Sequence, residues 1–306
     1  MFSGIGGFDL AFRNQGHEIV GACEIDEYAR RIYRKQFPGV TIHNDATNLH
    51  PQSLPSFDVL CAGFPCQSFS IAGQRRGFDD TRGSLFFEIA RVAKEKKPSF
   101  LLLENVKGLL SHDKGQTFRT IIRTLDEVGY DVEWQLLNSK YFVPQNRERV
   151  FIIGHLRGKR TRQVFPLGDF DEISDKKKLR KEELSRSRSH SSAIDANYYK
   201  GPDGKRTLVQ VGNIDTKGHN SLWGRVYDPE GIAPNLNANG GGLGAKTGLY
   251  SIDSRIRKLT PTECERLQGF PDGWTQGVSD TQRYRQMGNA VTVPVVEYIA
   301  KELRLG

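Results

Sequence analysis

Cys66 stands in the run CAGFPCQSFS, behind Pro65 and among small and polar residues. A cysteine inside an apolar strand is by default a small core residue, the reading given to Cys61 and Cys23. Cys66 has no apolar neighbours to bury it. The loop that follows is basic, and a thiol in an electropositive loop has its pKa lowered and its nucleophilicity expressed.

A nucleophile needs partners. Glu104 ends the apolar run of SFLLLEN; partial desolvation there lets a carboxyl keep its proton near neutral pH and act as an acid. In QNRERVFIIG, strand alternation puts Arg147 and Arg149 on one side and Glu148 on the other. Two guanidiniums facing one pocket suit a carbonyl, a carboxylate or a phosphate, and the plainer alternative is a surface ion pair with Glu148. A second group lies at the start of the chain. Gly4, Gly6 and Gly7 precede a helix-like apolar run and let backbone approach a ligand. Glu24 follows Gly4 by 20 positions, at the end of the next strand, where an acidic residue holds a ribose hydroxyl. No phosphate-binding lysine follows the glycines, so a nucleoside cofactor without phosphates fits. Asp45 in IHNDATN accepts from an adenine amino group or, equally, caps an ordinary turn.

These residues need a scaffold that brings them to one edge. The first 156 residues alternate β-rich runs with amphipathic segments: strands at 18–24, 57–63, 99–105 and 149–155, helices at 83–97 and 115–129. That pattern predicts a doubly wound α/β domain on a parallel sheet, with ligands at the carboxyl ends of the strands. From about residue 157 the chain turns charged and serine-rich (RGKRTRQ, SDKKKLRKEELSRSRSHSS), a linker or solvated helix, with phosphate contact as the alternative. Residues 200–256 are rich in Gly and Asn and read as loops with short strands. A final helix is expected after Thr260 as N-cap, with Pro261 first, Glu263 closing a capping box, and Gly269 and Pro271 ending it.

The chain has 306 residues, a formal charge of +8 and an isoelectric point near 9.3, which suits a polyanionic partner. No run approaches the roughly 18 apolar residues of a membrane span, and no leader is evident at Met1. The four cysteines are scattered without a CxxC pair, which argues against a zinc knuckle or a disulfide framework. No metal site is expected.

FSGIGGF, GFPCQSFS, ENVKGLL, QNRERVFIIG, RKLTPTECERLQGFPD and QMGNAVTVPVV, in this order over essentially the whole chain, resemble the motif blocks of the C5-cytosine DNA methyltransferases. The resemblance implies a doubly wound, Rossmann-like methyltransferase sheet in a catalytic domain of residues 1–165 completed by 280–306, and a smaller, irregular target-recognition domain at 166–279. It implies S-adenosylmethionine as cofactor, held by Phe2, Gly4, Gly6, Glu24, Ile25, Asp45, Ala46, Asn289 and Val291. Cys66 becomes the nucleophile, Glu104 contacts the cytosine, Arg149 contacts its ring carbonyl, and Arg147 joins the catalytic group. Gln67, Ser70, Arg75 and Arg76, in the loop behind the nucleophile, are expected to contact double-stranded DNA. Within WGRVYDPEGIAPNLNANGGGLGAKTG, Arg225 is a base reader and Lys246 a phosphate contact. A target of about four to six base pairs follows from the size of that region. A cytoplasmic, nucleoid-associated monomer, functionally paired with a restriction endonuclease, completes the expectation.

Two rivals remain: the same chemistry on tRNA, and a catalytically impaired, N-terminally shortened DNA-binding homologue. A cysteine hydrolase lacks a histidine partner in the blocks at the sheet edge. One departure stands out. The family carries several apolar residues and an Asp-Leu ahead of the FSGIGG block as its first strand, whereas here the block starts at Phe2. Either the true start lies upstream, or the sheet is short of one strand and cofactor affinity suffers; in both cases an upstream segment is expected to raise stability and cofactor binding.

Overall fold

A computed structural model of the chain describes residues 1–65, 85–167, 210–213, 225–229, 231–238, 247–252 and 255–305. Cys66, Gln67, Ser70, Arg75, Arg76 and Lys246 lie outside the described residues. The chain forms two compact units. The first comprises Met1–Leu137, Glu148–Pro166 and Val296–Gly306, and the second Asn138–Arg147 and Leu167–Val295. The sequence closes the first domain at 165 and reopens it at 280; the compact units part at Pro166 and rejoin at Val296.

The first unit opens with α1 (Gly7–Asn14), β1 (Ala22–Cys23), α2 (Glu27–Gln36) and β2 (Ile42–His43). Asp26 caps α2 by accepting from the Ala29 amide at 3.0 Å. Then come β3 (Val59–Gly63), α3 (Leu85–Lys96), β4 (Phe100–Val106), α4 (Gln116–Glu127), β5 (Tyr130–Asn138) and β6 (Glu148–Leu156). Helix α3 buries Phe86, Ile89, Ala90 and Ala93 at helical spacing, and α4 buries Thr117, Ile121, Thr124 and Leu125. Phe86, Ile89, Ala93, Ile121 and Leu125 join Leu101, Leu103, Val150 and Ile152 in the main core. The run FLLLEN of β4 is buried throughout, which suits a central strand covered on both faces.

The sheet order is β3-β4-β6-β5, and β1 pairs with β2 in a separate two-stranded sheet. Strands β3 and β4 are parallel, as expected, but β6 runs antiparallel to β4. This corrects the all-parallel reading. The reason is the link after β5: residues 139–147 are too few for the helical crossover of a dozen or more residues that a parallel return needs.

The second unit holds β7 (Gln210–Asn213), β8 (Arg225–Tyr227), β9 (Leu249–Ile252) and β10 (Arg255–Lys258), ordered β10-β9-β8-β7 with β8 and β9 parallel. Helices α5 (Pro261–Leu267) and α6 (Asp280–Asn289) follow, and α7 (Val293–Leu303) carries the chain back into the first unit at Val296. The capping box of α5 is present: Glu263 N donates to Thr260 Oγ1, and Thr260 N donates to Glu263 Oε2 at 2.7 Å. It is not the last helix, since α6 and α7 come after it. DTQRYRQMGN, the sequence of α6, buries only Tyr284, Gln286, Met287 and Gly288, too sparse an apolar stripe to announce a helix. No helix among the described residues is long and apolar enough to cross a membrane.

Candidate active site

The carboxyl end of β3 leads toward Cys66, and what surrounds that end is described. Gly63 is in register with Glu104 of β4, and a Cβ on Gly63 would lie 3.5 Å from Glu104 Oε2. The carboxylate therefore lies over the point where the chain leaves the sheet. On the other side of β4, Phe151 is opposite Glu104 and Arg149 is opposite Val106. Arg149 Nε comes within 3.0 Å of Glu104 Oε1, with the side chains only 14% and 11% exposed. Arg149 Nη1 also donates to the Glu148 carbonyl at 2.8 Å. Sequence reasoning considered burial alone at Glu104; the structure adds an opposite charge in a partly desolvated setting, where such a pair is strongest.

Sequence reasoning missed Asn105. Its buried Nδ2 donates to the Phe64 carbonyl at 2.8 Å, and its Oδ1 accepts from the Val106 amide. Phe64 in turn packs against Phe86 of α3. This fastens the two residues between β3 and Cys66. The available signal was a polar pair, Glu104 and Asn105, closing an apolar run. Burial raises the Cys61 and Cys264 thiols far above their ordinary range and also raises Cys23. Cys23 and Cys264 are buried, in keeping with a core role for Cys23, whereas Cys61 is half-buried.

At the ends of β1 and β2, Glu24 accepts from the Gly4 amide at 2.7 Å and from the Asp26 amide at 2.8 Å. The carboxylate thus ties the glycine turn to the start of α2. Gly4 has φ +55, with nothing within 4 Å of where a Cβ would be, so its backbone faces open space. At Gly6, φ is +86 and a Cβ would come 2.3 Å from the Phe37 ring, so only glycine fits there. Phe2 also has positive φ, +53. Ile25 beside Glu24 is 71% exposed, an apolar surface next to a carboxylate. Asp45 accepts from Thr47 N at 2.9 Å, Thr47 Oγ1 at 2.8 Å and Asn48 Nδ2 at 3.2 Å. The Thr47 hydrogen bonds hold its carboxyl below the usual range, so it stays ionised. Ala46 is buried, and its carbonyl accepts from Arg91 Nη2 while the Leu49 carbonyl accepts from Nη1. Arg91 of α3 is thus a second positioning residue that the sequence did not announce. Carboxylates with spare lone pairs, an exposed apolar side chain and an open glycine backbone together fit a nucleoside.

In the second unit Arg147 is 3% exposed and donates to Asn235 Oδ1 at 2.9 Å, the Gly288 carbonyl at 3.2 Å and the Ala290 carbonyl at 2.8 Å. Alternation had put Arg147 and Arg149 toward one pocket; the two guanidiniums have different partners. Nor does Glu148 pair with either side chain, since it binds Lys107 at 2.9 Å. Asn289 ends α6 in an exposed position, Val291 is buried, and Arg225 opens β8, half-buried. By holding the two carbonyls around Asn289, Arg147 fixes the backbone there.

Residues 1–304 match the family model of the C-5 cytosine-specific DNA methylase. The chain is 37% identical to the type II methyltransferase M.HhaI of Haemophilus parahaemolyticus, covering 98% of this chain and 91% of that protein. It is 36% identical to the type II methyltransferase M.HpaII of Haemophilus parainfluenzae, covering 99% and 87%. The crystal structure of the S. pombe Dnmt2 methyltransferase is similar in fold, with a TM-score of 0.67 at 19% identity over 99% of this chain and 96% of that one. The chain belongs to the C-5 cytosine-specific DNA methylases, a family of enzymes.

Proposed function

We propose that the protein is a DNA (cytosine-5)-methyltransferase of the restriction-modification type that acts through a covalent Cys66 intermediate on a cytosine flipped out of duplex DNA. The observation that carries the reading is the Glu104–Arg149 pair lying over the end of β3, three residues before Cys66. Cytosine C5 is a poor nucleophile. Addition of the Cys66 thiolate to C6 makes the ring an enamine whose C5 becomes nucleophilic. Negative charge then develops on the ring, where a Glu104 carboxyl at N3 and the Arg149 guanidinium at O2 stabilise it. Loss of the C5 proton expels the thiolate and restores conjugation. The target is inaccessible inside the stack, so base flipping precedes addition.

S-adenosylmethionine, when bound, supplies an electrophilic methyl group. Glu24 would hold the ribose, with Ile25, Phe2, Asp45 and Ala46 around the base and the Gly4 and Gly6 backbone alongside. Asn289 and Val291 complete the set. Gln67, Ser70, Arg75, Arg76, Arg225 and Lys246 would contact DNA, and the protein would act in the cytoplasm as a monomer beside a cognate endonuclease.

The test is adduct formation. Duplexes carrying 5-fluorocytosine are expected to give a denaturation-stable complex with the protein and S-adenosylmethionine, and none with Cys66→Ser. No adduct on a library of duplex sites, with labelled methyl appearing on tRNA instead, would overturn it.

A further inference from the structure

In the second unit, the stretch from Met287 to Thr292 carries the chain out of α6 and into α7, and buried side chains hold it from both ends. Gln268, the residue after α5, is fully buried. Its Nε2 donates to the Met287 carbonyl at 3.0 Å, and its Oε1 accepts from Thr292 Oγ1 at 2.9 Å. Its own carbonyl accepts from the Val293 amide at 2.9 Å. Thr292 and Ser139 are both buried, with hydroxyl oxygens 2.8 Å apart. The Thr292 proton is committed to Gln268, so the Ser139 hydroxyl donates. The Ser139 amide donates to the Arg147 carbonyl at 2.9 Å, and the Arg147 guanidinium donates to the Gly288 and Ala290 carbonyls. Gln268, Thr292, Ser139 and Arg147 thus close a circuit around Gly288–Val291. From Gly288 to Thr292 only Asn289 is exposed; Ala290 is half-buried and the others are buried.

From this we infer that Gln268 is a positioning residue for the methyl donor: through Met287 and Thr292 it sets the Gly288–Val291 backbone before the donor arrives and so presents Asn289. The role rests on Asn289 and Val291 being cofactor residues, as proposed above. Two observations carry it. A fully buried amide is costly unless its hydrogen bonds are made, and Gln268 makes its bonds to the two ends of one short stretch. A satisfied buried network is rigid, and here it frames a single exposed side chain. Backbone ordered in advance needs no ordering when the ligand binds, and the entropy so spared appears as affinity.

The experiment measures calorimetric binding of S-adenosylhomocysteine, the product that methyl transfer leaves, to the full chain without DNA. Gln268→Met keeps the length of the side chain and removes both of its hydrogen bonds, so binding is expected to weaken about tenfold. Thr292→Val should weaken it about threefold to tenfold, whereas Thr292→Ser, which keeps the hydroxyl, should stay within about twofold of the unsubstituted protein. In turnover, KM for S-adenosylmethionine should rise in Gln268→Met and Thr292→Val while kcat stays within about twofold. Affinity for duplex DNA, read by fluorescence anisotropy, should not change, because only a general loosening of the second unit would lower it. Each variant is judged folded by a cooperative melt, and should Gln268→Met fail to melt cooperatively, the two Thr292 variants decide. Undiminished binding by the folded Gln268→Met and Thr292→Val proteins, equal losses in Thr292→Val and Thr292→Ser, or duplex affinity falling in step with that for S-adenosylhomocysteine would overturn the role. No binding by the unsubstituted protein would overturn the cofactor reading itself, and this role with it.

Discussion

Glu104 and Arg149 meet, carboxylate to guanidinium at 3.0 Å, because β4 and β6 run in opposite directions. Glu104 near the carboxyl end of β4 is opposite Phe151, and Arg149 lies two residues away near the amino end of β6, on the same face. A parallel β6 would have carried Arg149 to the other edge of the sheet.

Breaking this pair from its two sides should have different consequences. Glu104→Gln keeps the shape but leaves the Arg149 guanidinium without its counter-charge, so methyl transfer is expected to fall by about 10²–10⁴ and stability to fall as well, by less than truncation of the arginine because the amide oxygen still accepts. Arg149→Ala leaves a buried carboxylate unpaired and is expected to cost about 3 kcal/mol or more in urea denaturation as well as activity. A denaturation midpoint for Arg149→Ala equal to that of the unsubstituted protein would contradict the pairing.

Arg147 should behave as a structural residue. Arg147→Ala removes three hydrogen bonds from a residue 3% exposed, two of them to backbone carbonyls. A loss of about 2–4 kcal/mol is expected in chemical denaturation. Lysine, with a single nitrogen in place of the fork, should recover less than half of it.

Gly288 admits no side chain. A Cβ would come 2.4 Å from Ala238 N and 2.6 Å from the Asn237 carbonyl carbon, both backbone atoms. Gly288→Ala is therefore expected to cost about 2 kcal/mol or more and to raise amide exchange at residues 237–238. An unchanged melting temperature would refute the contact.

Burial desolvates Asp9 and raises its carboxyl from 3.8 to about 6. The folded state thus holds the proton more tightly than the unfolded chain. There is no penalty below pH 3.8. It grows as pH rises through the interval to about 6 and is complete above it. Asp9→Asn should therefore stabilise the protein by about 1–3 kcal/mol at pH 7–8 and by almost nothing near pH 4. Urea melts of both proteins across that range check it; a constant difference at every pH would exclude Asp9 as the cause.

The ordered motif blocks and the apolar periodicity were enough to place β3, β4, β6, α3 and α4 to within a few residues, because each carries its own apolar pattern. The capping box of α5 was equally legible, being written in four consecutive residues. Candidate site residues could be named from type and position after a strand, since a carboxylate closing an apolar run is chemically conspicuous. What no local pattern contained was strand direction. The antiparallel β6 is decided by pairing across the sheet, and that pairing joins Arg149 to Glu104. The same limit kept Asn105 and Arg91 out of sight, because each holds backbone about 40 residues away in sequence, Phe64 in one case and Ala46 and Leu49 in the other. Sequence fixes what a residue can offer; which distant carbonyl or charge receives it depends on packing that brings remote segments together.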